Sequence, residues 1–169
     1  MSAIISECGL YRYRLDRDCG LPFKGSKVFA YFGINPSTAD AALDDPTVRK
    51  WRGFTQRSGG KHFIVGNVFS YRATDVKDLD RANRNHIDLL GPDHVKNISD
   101  IIADADVLVP CWGRLSKVDH NLRPCFGILE GMLQRSGKPM MTFGRNSDGS
   151  PKHPLMLGYD TPLAPWAMP

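Results

Sequence analysis

Lys27-Val28-Phe29-Ala30-Tyr31-Phe32-Gly33-Ile34-Asn35-Pro36-Ser37-Thr38-Ala39-Asp40 is the stretch that decides how this chain folds. Lys27–Ile34 is almost continuously apolar, the composition of a strand covered on both faces. Pro36 cannot donate to a strand ladder, so the chain must turn there. The turn carries short polar groups at Asn35, Ser37, Thr38 and Asp40. Open α/β sheets bind ligands beyond the carboxyl ends of their strands, so a polar turn in this position marks a functional edge.

Outward from this strand the pattern repeats. Asp45-Pro46 predicts a helix start, with Asp as N-cap and Pro at the first helical position. Val48, Trp51, Phe54 and Thr55 give that helix a buried face, and Ser58-Gly59-Gly60 ends it. His62–Phe69 predicts a second core strand, followed by a polar segment, Ser70–Asn85. Gly91-Pro92-Asp93 opens a helix with an apolar stripe of Val95, Ile98, Ile101 and Ile102. Val107–Trp112, Leu122–Gln134 and Pro139–Phe143 predict a third strand, a third helix and a fourth strand. Upstream, Tyr11-Arg12-Tyr13-Arg14-Leu15 alternates in the manner of a half-buried edge strand. The proline-rich tail, Pro151–Pro169, is predicted to be irregular.

Strands alternating with helices predict parallel neighbours. The expected fold is α/β: a three-layer α/β/α sandwich around a central, mainly parallel four-stranded sheet, with an N-terminal edge strand or hairpin. Residues 1–169 form one domain, long enough for a substantial core. In a parallel sheet the strand-end turns Asn35-Pro36, Asn67–Tyr71, Trp112-Gly113 and Gly144–His153 share one edge and converge on one cleft.

The formal charge of +4 and a pI near 8.9 permit a polyanionic partner without requiring one. No stretch reaches the roughly 20 apolar residues that cross a bilayer, and residues 1–8 lack a secretory pattern, so a cytoplasmic protein without a membrane partner is expected. The four cysteines, Cys8, Cys19, Cys111 and Cys125, match no CxxC spacing and read as free thiols. A zinc or iron–sulfur site is the open alternative on number alone. Neither cofactor nor metal is otherwise called for, and the expected state is a monomer. His62, His86, His94 and His120 show no metal-ligand spacing.

The strand-end turns resemble the motifs of the uracil-DNA glycosylase superfamily, in the same order. Gly33-Ile34-Asn35-Pro36 is similar to the Gly-Ile-Asn-Pro of the mismatch-specific uracil/thymine branch, which holds the hydrolytic water and packs near the flipped base. Asn67 stands where the uracil-specific branch carries the asparagine that reads the pyrimidine edge. Trp112-Gly113 resembles the Trp-Gly after the third strand, and His153-Pro154 the start of the His-Pro-Ser-Pro loop. Leu155 replaces the serine of that loop, and Asn35 stands where the most active uracil enzymes carry aspartate.

Over nearly its full length the chain also resembles the domain-of-unknown-function 1643 family. Cys8-Gly9-Leu10-Tyr11-Arg12-Tyr13, Asn35–Asp40, Asp44-Asp45-Pro46-Thr47, Tyr71-Arg72-Ala73-Thr74-Asp75, Trp112-Gly113 and His153-Pro154-Leu155 carry that resemblance.

What the glycosylase resemblance implies is hydrolysis of an N-glycosidic bond in DNA, on a modified or damaged pyrimidine extruded from the stack. A bulky phage base, removed in defence, is one version. His153 could stabilise charge on the leaving base, Asn35 could orient water, and Asp40 lies in the same loop for proton abstraction. Asn67 would read the base, with Phe69 and Tyr71 as aromatic wall and Pro36 and Ser37 beside it. Arg72, Arg114, Lys117, Arg145 and Lys152 would contact the DNA backbone. Asp44 and Asp45 read as structural. Two other classes compete: a non-catalytic nucleic-acid or nucleotide binder using the same cleft, and a hydrolase of free nucleotides.

Overall fold

The computed structural model describes residues 1–20, 26–37 and 43–166. A hairpin, β1 (Ser2–Ile5) and β2 (Arg12–Asp18), precedes β3 (Lys27–Gly33). Helix α1 (Pro46–Arg57) leads into β4 (Gly60–Asn67), and α2 (Val76–Arg84) and α3 (His94–Asp104) lead into β5 (Val107–Pro110). Helix α4 (Pro124–Arg135) is followed by two short strands, β6 (Met141–Thr142) and β7 (Ala164–Pro165).

The main sheet has five strands in the order β1-β2-β4-β3-β5. Strands β4, β3 and β5 run parallel, whereas β2 pairs antiparallel with both β1 and β4. The sheet is therefore mixed rather than mainly parallel, which corrects the expectation from strand–helix alternation. The physical reason is the connection at residues 6–11: a short link joins only antiparallel neighbours, whereas a parallel return needs a crossover of a dozen or more residues. The strand expected at the edge, β2, takes an interior position, with β1 at the edge.

The predicted fourth strand does not join this sheet as a strand. Met140 makes a single parallel bridge to Leu108, and the chain then pairs β6 with β7 in a separate two-stranded sheet. The tail is thus partly ordered by pairing, and it buries Trp166. A helix also occupies the segment read as polar: Asp75 caps α2 by accepting from Lys77 N at 3.0 Å, and Leu79 and Ala82 are its buried face.

Strand alternation divides the core in two. Phe29 and Tyr31 of β3, Phe63 and Val65 of β4 and Val109 of β5 pack with Val48, Trp51 and Phe54 of α1. Ala30, Phe32, Ile64 and Leu108 face the other way, onto Leu79, Ile98, Ile101 and Leu129 from α2, α3 and α4. Helices therefore cover both faces of the sheet. Truncating a fully enclosed residue such as Leu108 to alanine costs about 2–5 kcal/mol at sites of this kind.

Helix α1 starts as its sequence dictates. Asp45 accepts from Val48 N at 2.8 Å, and Pro46 occupies the first turn. Helix α3 differs from its expected stripe: Val95 is 61% exposed, and His94 and Asn97 take buried positions instead. His94 is retained there by a 2.8 Å hydrogen bond with the Ser70 hydroxyl. No described helix is long and apolar enough to cross a membrane.

Candidate functional site

The ends of β3, β4 and β5 open into a cleft of about 290 Å³. Two zippers build it. The turn after β3 is tied to the turn after β4, with Val68 N donating to Gly33 O at 3.0 Å and Ala73 N donating to Pro36 O at 3.0 Å. The turn after β5 is tied to the late loop, with Gly113 N donating to Pro151 O at 3.0 Å. Asn35, Ser37, Asn67 and His153 all line this one cleft. The separation of 118 positions between Asn35 and His153 is thereby closed by strand register together with these loop ties.

Asn67 ends β4 and is 4% exposed. No hydrogen bond to its side-chain amide is found among the described residues, so the amide's donor and acceptor are left to what enters the cleft. Gly33 makes room for it: a methyl group there would lie 2.9 Å from Asn67 Oδ1. The glycine of the Gly-Ile-Asn-Pro turn thus acts on the neighbouring strand.

Asn35 is oriented by two carbonyls. Its Nδ2 donates to Ala73 O at 2.7 Å and to Pro36 O at 3.1 Å. Because both partners only accept, the amide NH2 must face them, which leaves Oδ1 as the remaining acceptor. The residue is both a tie between two loops and a fixed acceptor at the cleft.

His153 precedes a 3-10 turn, Pro154–Met156, and its Nδ1 accepts from Leu155 N at 3.3 Å. That bond places the ring proton on Nε2. Burial lowers the His153 pKa below the ordinary histidine value, and Lys117 lowers it further, against an opposing pull from Asp45. The ring is neutral at pH 7, with one N–H to donate. Gly113 takes φ +84° beneath it, and a methyl group there would sit 3.1 Å from His153 Cβ. A side chain at this position meets both left-handed backbone strain and the histidine loop.

The aromatic walls are not those expected. Phe69 is 1% exposed and packs edge-on against Phe126 at 5.9 Å, so it is a core residue and not a wall of the cleft. After β4 ends, Phe69 N bonds Ile34 O and the chain crosses the sheet end, which sends the ring towards α4. Tyr71 pairs with Tyr11 and borders a neighbouring depression. Pro36 is buried with its carbonyl engaged and does not line the cleft. The aromatic residues that line it are Trp51 and Trp112, both largely buried. Trp51 was legible only as a core position of α1, yet it lies close enough to that helix's amino end to reach the cleft while stacking on Tyr31 at 5.7 Å.

Arg12, Thr47 and Thr74 complete the polar lining; none was a site candidate, although each lies in a stretch that carries the family resemblance. Asp45 is the one carboxylate among the described lining residues, and it is held as the α1 cap. Asp40 and Thr38 lie outside the described residues. Of the basic candidates, Arg145 stacks on Trp166 at 4.0 Å and Arg72 donates to Gly9 O at 3.3 Å, so both serve the fold. Lys152 is half-buried beside Gly144, while Arg114 and Lys117 are exposed at the rim.

Asp44 and the buried Arg17 meet at 2.6 Å behind the cleft wall, and Arg52 contacts the other carboxylate oxygen at 2.8 Å. This tie fixes the approach to α1 and hence the positions of Asp45 and Thr47. The four cysteines are free. Among the described residues no three His, Cys, Asp or Glu side chains gather as metal ligands.

The family described as protein of unknown function (DUF1643) matches residues 12–155 of the chain. The chain belongs to that family. No curated protein and no solved structure matches it.

Proposed function

We propose that this DUF1643 chain is a DNA glycosylase that binds an extruded modified pyrimidine and hydrolyses its N-glycosidic bond. The observation that carries the reading is Asn67: a nearly enclosed amide without a described partner, in a cleft lined by two tryptophans and shared with a neutral histidine. An amide offers both a donor and an acceptor, the complement of a pyrimidine's pairing edge. Trp51 and Trp112 supply apolar lining beside it.

In the reaction the bond from the sugar's anomeric carbon to the base nitrogen breaks, and the base leaves with the electron pair. Water forms the new bond to the carbon, and the proton it loses neutralises the departed base anion. His153 Nε2–H donates a hydrogen bond to the charge developing on the base, and its neutral state avoids the desolvation that a buried imidazolium would incur. Asn35 Oδ1 orients the water but cannot take its proton as a carboxylate would. The polar lining beyond Asn67, from Arg12 to Thr47 and Thr74, favours a pyrimidine with a hydrogen-bonding substituent over bare uracil. Bulky phage bases are substrates of that kind, in which case the role is defence. Helices on both sheet faces and a cleft at the strand ends support a uracil-DNA glycosylase-like, three-layer reading of the fold.

The test is base release from DNAs carrying uracil, mismatched thymine, hydroxymethylated cytosine or glucosylated cytosine. Release from one of them, lost in Asn67→Ala and reduced at least tenfold in His153→Ala, is the expected result. No release from any would refute the enzyme. The second reading, a non-catalytic binder, is favoured by the engagement of Asp45 as a cap, which leaves no described carboxylate free for proton abstraction. Asn67-dependent binding without release would establish it.

A further inference from the structure

The cleft does not end at its own walls. Val76, in the first turn of α2, lines both the cleft and a second groove of about 350 Å³. That groove runs between the start of α2 and the 3-10 turns Leu115–Lys117 and His120–Leu122. Its basic residues are Lys77, Lys117 and Arg123, and none of them has an ion-pair partner among the described residues. Arg123 uses its Nε–H on Val118 O at 3.1 Å.

The acids in the groove are already engaged. Asp80 pairs with Arg84 at 2.5 Å, and Asp119 accepts from Asn121 N at 2.9 Å. On the other side of α2's first turn, a second depression also borders the cleft, through Ala73 and Thr74. Of its two cations, Arg81 pairs with Asp78 at 2.8 Å, and Arg72 has one N–H on Gly9 O. With Asp80 and Asp78 in ion pairs, Lys77, Lys117 and Arg123 stand against Asp119 on this side and Arg72 stands alone on the other, so the larger positive excess is on the Lys77 side.

We propose that a polynucleotide strand leaves the cleft over Val76 and lies in this groove, with its phosphates on Lys77, Lys117 and Arg123. The proposal rests on the base-binding reading of the cleft and makes its substrate a polymer rather than a free nucleotide. Phosphate contacts position a strand and make its binding salt-dependent, while base contacts do not.

The experiment is fluorescence anisotropy of a short labelled single strand of mixed sequence, titrated across salt concentration. Each lost phosphate contact lowers the slope of log K against log salt by about 0.7, so Lys77→Gln/Lys117→Gln should lower it by about 1.4. Both lysines are exposed, and a thermal melt checks that the double variant remains folded. Arg72→Gln and Asn67→Ala should leave the slope unchanged. An unchanged slope in the lysine variant overturns the groove, as does a wild-type protein that binds no strand at low salt. Asn67-dependent binding of a free pyrimidine mononucleotide, measured alongside, would survive that failure and keep the base-binding reading separate.

Discussion

Removing Asp44 should destabilise the protein far more than its partly exposed position suggests. Arg17 is fully enclosed, and Asp44 Oδ1 lies 2.6 Å from its Nε. Breaking a buried pair by deleting one partner costs about 3–5 kcal/mol, because the remaining charge stays desolvated. Here the guanidinium retains carbonyl acceptors at Asp16, 3.0 Å, and Leu43, 3.3 Å, which places Asp44→Ala near the lower end, at about 3 kcal/mol. The outer contact with Arg52 is more exposed and adds less than about 1 kcal/mol. For a chain of this length each kcal/mol lowers the melting temperature by about 2–4 °C, so a fall of about 6–12 °C is expected. Urea and thermal denaturation at pH 7 measure it. Arg17→Met/Asp44→Ala, which removes both charges, should be more stable than Asp44→Ala alone. Burial by itself would raise the Asp44 pKa, but Arg52 and Arg17 outweigh it and hold the carboxyl below its usual range. The contribution is therefore present above the unfolded carboxylate value and is lost as pH falls through the depressed one, so the penalty of Asp44→Ala should shrink towards pH 3. A variant within about 0.5 kcal/mol of wild type, the size of a neutral surface change, or a double variant no better than the single, would refute the buried tie.

Gly113→Ala should cost about 1–2 kcal/mol for a side chain at φ +84° and displace His153, whose Cβ would be 3.1 Å from the new methyl; base release falling no further than the stability loss predicts would argue against that displacement. His62 is bracketed by Asp16 and Asp18, at 3.2 and 2.9 Å, and Asp16 is the main cause of its raised pKa. Its stabilisation is full below the unfolded histidine value and disappears as pH rises through the raised one, while Asp16, which buried alone would titrate high, is held by His62 and Arg14 at about 2 and stays charged throughout. His62→Gln should therefore lower the melting temperature at pH 6 and leave it nearly unchanged at pH 9; an equal loss at both would show that the ring acts through packing.

By itself, the sequence determined the elements whose causes are local. Asp45-Pro46 caps α1 because capping involves only the next three residues, and β3, β4 and β5 follow from apolar runs bounded by turn residues. The polar ends of β3 and β4, Asn35 and Asn67, were legible for the same reason, whereas His153 lies in the late loop and is brought in by the tie between Gly113 and Pro151. Only the tertiary structure decided what lies beyond each strand end. Phe69 and Tyr71 sit two and four residues past Asn67, where no periodicity governs direction, and the path of the chain sent one into the core and the other to Tyr11. Trp51 obeyed its helical stripe, and the position of α1 against the sheet made it also line the cleft. The interior, antiparallel place of β2 and the meeting of Arg17 with Asp44 depend on which strands become neighbours. Pairing of that kind is a balance of burial over the whole sheet, and no stretch of sequence contains it.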